Sequence, residues 1–159
     1  MSDVYELTLA MDLCDDLSEE EIAELRWHLG LGPQPERLSI LSSFPVVVAD
    51  ESGEPQVEDQ PEALLSQHGA AWRVGGVVSS ELIRRKGRGG RRGWAMTSRQ
   101  ELHPDLFGPV GVLLTWLAGK ADPMHADEDG AVHVGCLRFL EDLDPRPLVV
   151  RNGTVGWPE

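Results

Sequence analysis

The stretch RRKGRGGRRGW, residues 84–94, carries the densest chemistry in the chain. Arg84, Arg85, Lys86, Arg88, Arg91 and Arg92 fall within nine residues that hold no acid. Cations at that density neutralise phosphates and release counterions, which is how a nucleic-acid backbone is held. Sequence-tolerant binders of single strands also add aromatic platforms on which bases stack. Only Trp94 adjoins this stretch, and the alternation of its neighbours assigns it to a core. Gly87, Gly89, Gly90 and Gly93 loosen the backbone, and the like charges repel. The composition therefore predicts a flexible, solvated basic loop over 84–93 that joins two strands. Its six cations are candidate contacts for an anionic partner, but nucleic acid is not the expected one.

A second set of residues is mixed in sign. Glu6, Thr8 and Asp12 alternate with apolar residues near the start of the chain, as Arg99 and Glu101 do further on. With Arg138 they would collect on the more polar face of a sheet. Opposite charges held together there shift one another's titration and can orient a polar ligand. The competing expectation is cross-strand ion pairing that fixes register. These six residues are the candidate ligand-binding set.

Metal and nucleophile chemistry find less. His125, Asp127, Glu128 and Asp129 in MHADEDG lack the spacing of a calcium loop, and no second histidine follows at zinc spacing. No metal and no cofactor are predicted. Neither G-x-S-x-G nor a P-loop is present, so no catalytic residue is assigned. Cys14 and Cys136 are far apart without a C-x-x-C, which fits small buried thiols in a reducing, cytoplasmic setting. His28 near a helix end would meet the negative pole of the helix dipole.

The elements that must position these residues follow from periodicity. VYELTLAMDL, residues 4–13, alternates strictly and predicts a strand. Ser18 with Glu21 forms a capping box, and Ile22, Leu25 and Leu29 recur at helical spacing, with Glu24 and Arg26 turned outward. Residues 33–70 read as an insertion: a strand near Pro45, an acidic loop over ESGEPQVEDQ, then a short helix opened by Pro61. AAWRVGGVVSSELIRR and GWAMTSRQELH predict two strands of a hairpin, with Gly75 and Gly76 suggesting a bulge. Asp105 is placed as the N-cap of a helix whose stripe runs Phe107, Val110, Leu113, Leu114 and Leu117. AVHVGCLRFLED predicts a further strand, and Asn152-Gly153 a tight hairpin turn.

The order is β-α-β-β-α-β. It predicts one α+β domain over 1–159: a ferredoxin-like split βαβ antiparallel sheet with two main helices on one face, a 33–70 insertion and a C-terminal hairpin. The first and third strands are expected at the centre, flanked by the fourth and the second.

The chain has 159 residues, a net charge of −13, and 41% hydrophobic residues, which suits one soluble core. Such a body repels phosphate and anionic membranes and attracts basic proteins. No apolar run is long enough to span a bilayer. The fourth strand is apolar on both sides, so the sheet's second face is expected to be covered by the insertion, the hairpin or a second subunit. The leading functional expectation is a non-enzymatic protein- or ligand-binding module, acting through that face or the acidic surface, with a homodimer or a basic protein as partner. The alternatives are a cofactor-independent enzyme with its pocket between sheet and insertion, for which the five tryptophans are candidate lining, and nucleic-acid contact through 84–92.

Overall fold

A computed structural model describes residues 3–86 and 92–159. Arg88, Arg91 and the centre of the expected basic loop lie outside the described residues. The fold is mixed α+β, with an antiparallel sheet and two α-helices.

Strict alternation makes β1, Tyr5–Leu13, a strand with Leu7, Leu9, Met11 and Leu13 fully buried on one side. The capping box of Ser18 and Glu21 starts α1, Glu19–His28, and the buried Leu25 and Trp27 join the same core. The insertion then forms a separate two-stranded arm, β2 Pro45–Ala49 and β3 Pro55–Asp59, paired from Pro45 opposite Asp59 to Ala49 opposite Pro55. A short β4, Gly69–Ala70, leads into β5 Val77–Lys86 and β6 Arg92–Leu102. Helix α2, Phe107–Lys120, buries Val110, Leu113, Leu114 and Leu117. β7 Val132–Phe139, β8 Arg146–Arg151 and β9 Thr154–Val155 complete the chain.

The sheet runs β4-β5-β6-β1-β7-β8-β9. β1 lies antiparallel between β6 and β7. The sheet has seven strands, more than expected, because β4 adds one edge and the terminal hairpin extends the other. That hairpin turns at Asn152 and Gly153, both at positive φ (51° and 72°), as a two-residue turn requires.

Several local expectations are corrected. The acidic stretch 51–60 is not a loop, because Pro55–Asp59 pairs with β2. Residues 61–68 form no helix; Leu64 and Leu65 are instead pressed into the core, and Leu65 N–H donates to the carbonyl of His28 at 2.8 Å. Asp105 does not cap α2. A short 3₁₀ turn, Pro104–Leu106, precedes that helix, capped by His103, whose Nδ1 accepts from Asp105 N–H. Gly75 and Gly76 stand before β5, and the irregular register lies instead in β7 between His133 and Gly135. That irregularity breaks the alternation expected for β7. Val134 is buried, while Cys136 takes the opposite side from Leu137 and Phe139. Trp72 is 92% exposed and stands in the wall of the open groove beside the sheet edge. Arg84, Arg85 and Lys86 belong to β5, and Arg92 and Gly93 to β6, with Lys86 paired to Arg92. The strands therefore run well into the stretch expected as loop.

Of the covers expected for the second sheet face, the two that this chain could supply do not lie over it. The insertion packs on the helix side, where Ile40, Leu41, Phe44, Leu64 and Leu65 enter the common core. The terminal hairpin lengthens the sheet and does not fold across it. On the far side Ala10, Ser79, Glu81 and Thr97 are exposed, and Ile83 is 60% exposed. No helix of the described residues is long and apolar enough to cross a membrane.

Candidate functional site

The open face is built by residues alternating with the core. Even-numbered positions of β1 and odd-numbered positions of β5 and β6 point to it, joined by Cys136 and Arg138 of β7. Glu6 stands opposite Glu101 on β6 and Arg138 on β7, and Thr8 opposite Arg99 and Cys136.

Glu6 is the centre of the face. Its Oε2 accepts from Arg99 Nη2, and its Oε1 accepts from Arg138 Nε at 3.2 Å. Burial alone would raise its pKa, but the two guanidinium hydrogen bonds and charges outweigh burial and hold it below the usual carboxylate range. Both arginines have further acceptors. Arg99 Nη1 donates to the carbonyl of Val77 at 2.9 Å, and Arg138 Nη1 to the carbonyls of Leu140 and Asp142.

The structure thus brings Glu6, Thr8, Arg99 and Arg138 together. Asp12 sits further along β1 and pairs with Arg85 at 3.0 Å. Glu101 is turned to the 72–74 loop, where its carboxylate accepts from the N–H groups of Trp72, Arg73 and Val74. Of the six cations expected to meet an anionic partner, Arg84 pairs with Asp15 at 2.5 Å and lies over the Trp94 ring. The chain's own acids therefore engage Arg84 and Arg85.

Two concave features lie apart from the open face, and the second falls between insertion and sheet, where a pocket was expected for the enzyme alternative. A cleft of about 540 Å³ opens between residues 40–46, 60–64 and the start of α2, with mostly apolar walls. Its rear wall is fixed from behind by Glu24, which is fully buried and not turned outward as its sequence position suggested. Oε1 of Glu24 accepts from Ser39 N–H (2.5 Å) and Ile40 N–H (2.9 Å), and Oε2 accepts from Leu41 N–H (2.9 Å). A second groove, about 770 Å³, lies between the insertion's tail and the sheet edge, beside His68, His103 and Glu101. His68 Nε2 is bound to the carbonyl of Leu29 at 3.0 Å, and His103 Nδ1 accepts from Asp105 N–H. A buried polar set ties the insertion's tail to the sheet nearby. Ser80 Oγ bonds Ser98 Oγ at 2.7 Å and the Leu65 carbonyl at 3.0 Å, while Gln100 exchanges hydrogen bonds with the Gln67 backbone.

His125, expected in an acidic loop, has Nε2 accepting from Asp12 N–H at 2.9 Å. Among the described residues no three His, Cys, Asp or Glu side chains are grouped so as to hold a metal ion. Cys14 and Cys136 are both free thiols. Burial, helped by Asp16 and Asp122, raises the pKa of Cys14, the reverse of what a nucleophilic thiol needs.

Comparison with protein-family models, with curated proteins and with solved structures finds no match to this chain.

Proposed function

We propose that the chain is a non-enzymatic binding module that works through the open face of its sheet, and that this face takes a second copy of the chain. The observation that carries the reading is charge balance. The chain as a whole has a net charge of −13. On the four central strands, Glu6, Asp12, Glu81 and Glu101 are nearly matched by Arg85, Arg99 and Arg138. Two copies of an acidic body repel each other least where such a near-neutral patch meets its like. Thr8, Ala10, Ala95 and Thr97 are small enough for close approach, and Ile83 supplies exposed apolar surface.

We read the central strands as a ferredoxin-like split βαβ core. The order β5-β6-β1-β7, with α1 following β1 and α2 following β6, supports that reading. The free thiols fit a reducing, cytoplasmic compartment. The enzyme alternative is served less well, because the imidazoles beside the sheet-edge groove and the Glu101 carboxylate are already bound to backbone groups. The nucleic-acid alternative is weakened by the pairing of Arg84 and Arg85 with Asp15 and Asp12.

Sedimentation equilibrium of the full chain tests the reading. The expected result is concentration-dependent dimerisation that Thr97→Arg, an exposed substitution on the open face, abolishes without lowering the melting temperature measured at concentrations where the wild type is monomeric. A wild-type chain that stays monomeric, or a variant that dimerises equally well, overturns it.

A further inference from the structure

The cleft between the insertion and α2 lies on the helix side, away from the open sheet face, and needs a separate account. Its walls include Phe44, Pro45, Val46, Leu64, Leu106 and Val112. Val46 and Val112 are partly open to solvent. The β2–β3 arm continues the apolar surface beyond the cleft. Val47 and Val57 are direct cross-strand partners, and they are 70% and 71% exposed. Isolated two-stranded ribbons are marginal by themselves. This one pairs with no other strand among the described residues.

The shape of the cleft is fixed in advance. Three N–H groups of residues 39–41 are gripped by Glu24. Phe44 N–H donates to Asp59 Oδ1 at 2.5 Å, and Gln60 N–H donates to the Phe44 carbonyl at 2.9 Å. A partner entering such a site has less ordering of the walls to offset.

The charge around it has one sign. Residues 38–64 and 105–112, which supply the walls and the arm, contain no Lys or Arg. They contain Asp50, Glu51, Glu54, Glu58, Asp59, Glu62 and Asp105. Glu62 and Asp105 stand in the cleft's own lining. An anionic or neutral partner gains nothing from that rim, whereas a cationic one is drawn to it and oriented by it.

We propose that this cleft and the adjoining arm form a docking site for a basic segment of a partner protein, one that seats an apolar side chain between Phe44, Leu64 and Val112 while its Lys or Arg residues face Glu62 and Asp105. The apolar anchor supplies most of the affinity, and the rim supplies the choice of partner. This proposal is independent of the pairing assigned to the open sheet face.

The test uses the full chain and labelled synthetic peptides, read by fluorescence anisotropy. The probes are an alternating leucine–lysine peptide, a glycine–lysine peptide of equal charge and a leucine–glutamate peptide. The leucine–lysine peptide is expected to bind most tightly, and reversing Glu62 and Asp105 to Arg together weakens it by about tenfold or more. Reversing the exposed Glu128 and Asp129 to Arg, the same change of charge elsewhere, has a much smaller effect. Val112→Lys, a solvent-facing change, also weakens binding, whereas Thr97→Arg on the open face leaves it unchanged. Circular-dichroism melts establish that each variant folds. Equal binding of the glycine–lysine peptide, equal loss from both charge reversals, or no binding of the leucine–lysine peptide each overturns the proposal.

Discussion

Glu24 Oε2 lies 3.2 Å from His28 Nε2, one helical turn apart on α1, and both side chains are fully buried. The carboxylate is not a simple ion-pair partner, since it also accepts the three N–H groups of residues 39–41. One acid thereby joins α1 to the insertion and sets the rear wall of the cleft. A buried carboxylate is tolerated only when its lone pairs are matched in this way.

Glu24→Ala would strand three N–H donors, those of Ile40 and Leu41 buried and that of Ser39 partly so, and lose the partner of His28. Each buried donor left without a partner costs about 1–3 kcal/mol. Glu24→Gln should fall between wild type and Ala. Its carbonyl oxygen can keep the bonds to Ser39 and Ile40, but its NH₂ would face the Leu41 N–H, donor against donor. Urea unfolding of the two variants checks the order. Wild-type stability in both would show that the insertion is held by apolar contacts alone.

His28 makes stability depend on pH. Burial lowers its pKa, and the Glu24 hydrogen bond and charge only partly oppose that. The folded state therefore binds its proton less readily than the unfolded chain, whose histidine titrates near about 6.5. Between that value and the lower folded one, the unfolded state holds more protons, so stability rises with pH. The contribution is complete above about pH 6.5 and is lost as pH falls through the window below it. Urea midpoints measured from about pH 7 down to pH 5 should decline for wild type. They should decline less for His28→Gln, which has nothing to titrate there. Parallel curves for the two proteins would remove His28 as the cause.

How much was legible in the sequence depends on whether the signal was local. β1 and the capping box of α1 could be read because alternation and the Ser18–Glu21 spacing are properties of a few adjacent residues. The strand neighbours followed from element order and short connections. Glu24 was misread because its partners lie 15 to 17 residues away in the chain, and helical periodicity assigns an isolated acid to solvent. The position of His28 four residues on was the one available hint. The strand near Pro45 could be read, but its partner β3 reads as loop for a related reason. It carries Pro, Gln and acids, and it forms by pairing with β2 without burying a face. The candidate polar set was placed on one sheet face by alternation. Alternation says nothing of spacing along the face or of where a side chain turns, so it groups Glu6 with Asp12, which lies further along β1, and with Glu101, which stands opposite Glu6 but turns to the 72–74 loop. The cover assigned to the second face came from the apolar residues of β7, and the irregularity at His133 and Gly135 turns Val134 into the core.

Gly135 marks that irregularity and shows how context sets the sign of a substitution. It stands opposite Leu9 in the β1–β7 register, where the two backbones are unusually close. A Cβ there would run into the Thr8 carbonyl oxygen and come within 2.9 Å of the Leu9 Cα. Neither atom belongs to a flexible side chain, so relief requires β1, the central strand, to move. Gly135→Ala should destabilise by about 1–3 kcal/mol, the range of overpacked sites. Gly119 near the end of α2 has nothing within 4 Å of the corresponding position. Gly119→Ala should leave stability unchanged or raise it by up to about 1 kcal/mol, because alanine restricts the unfolded chain and favours helix. Thermal or urea unfolding of both variants gives the comparison. A Gly135→Ala chain as stable as wild type would mean that β7 can slide away from β1, and the close packing at the heart of the open face would not be a rigid feature of the fold.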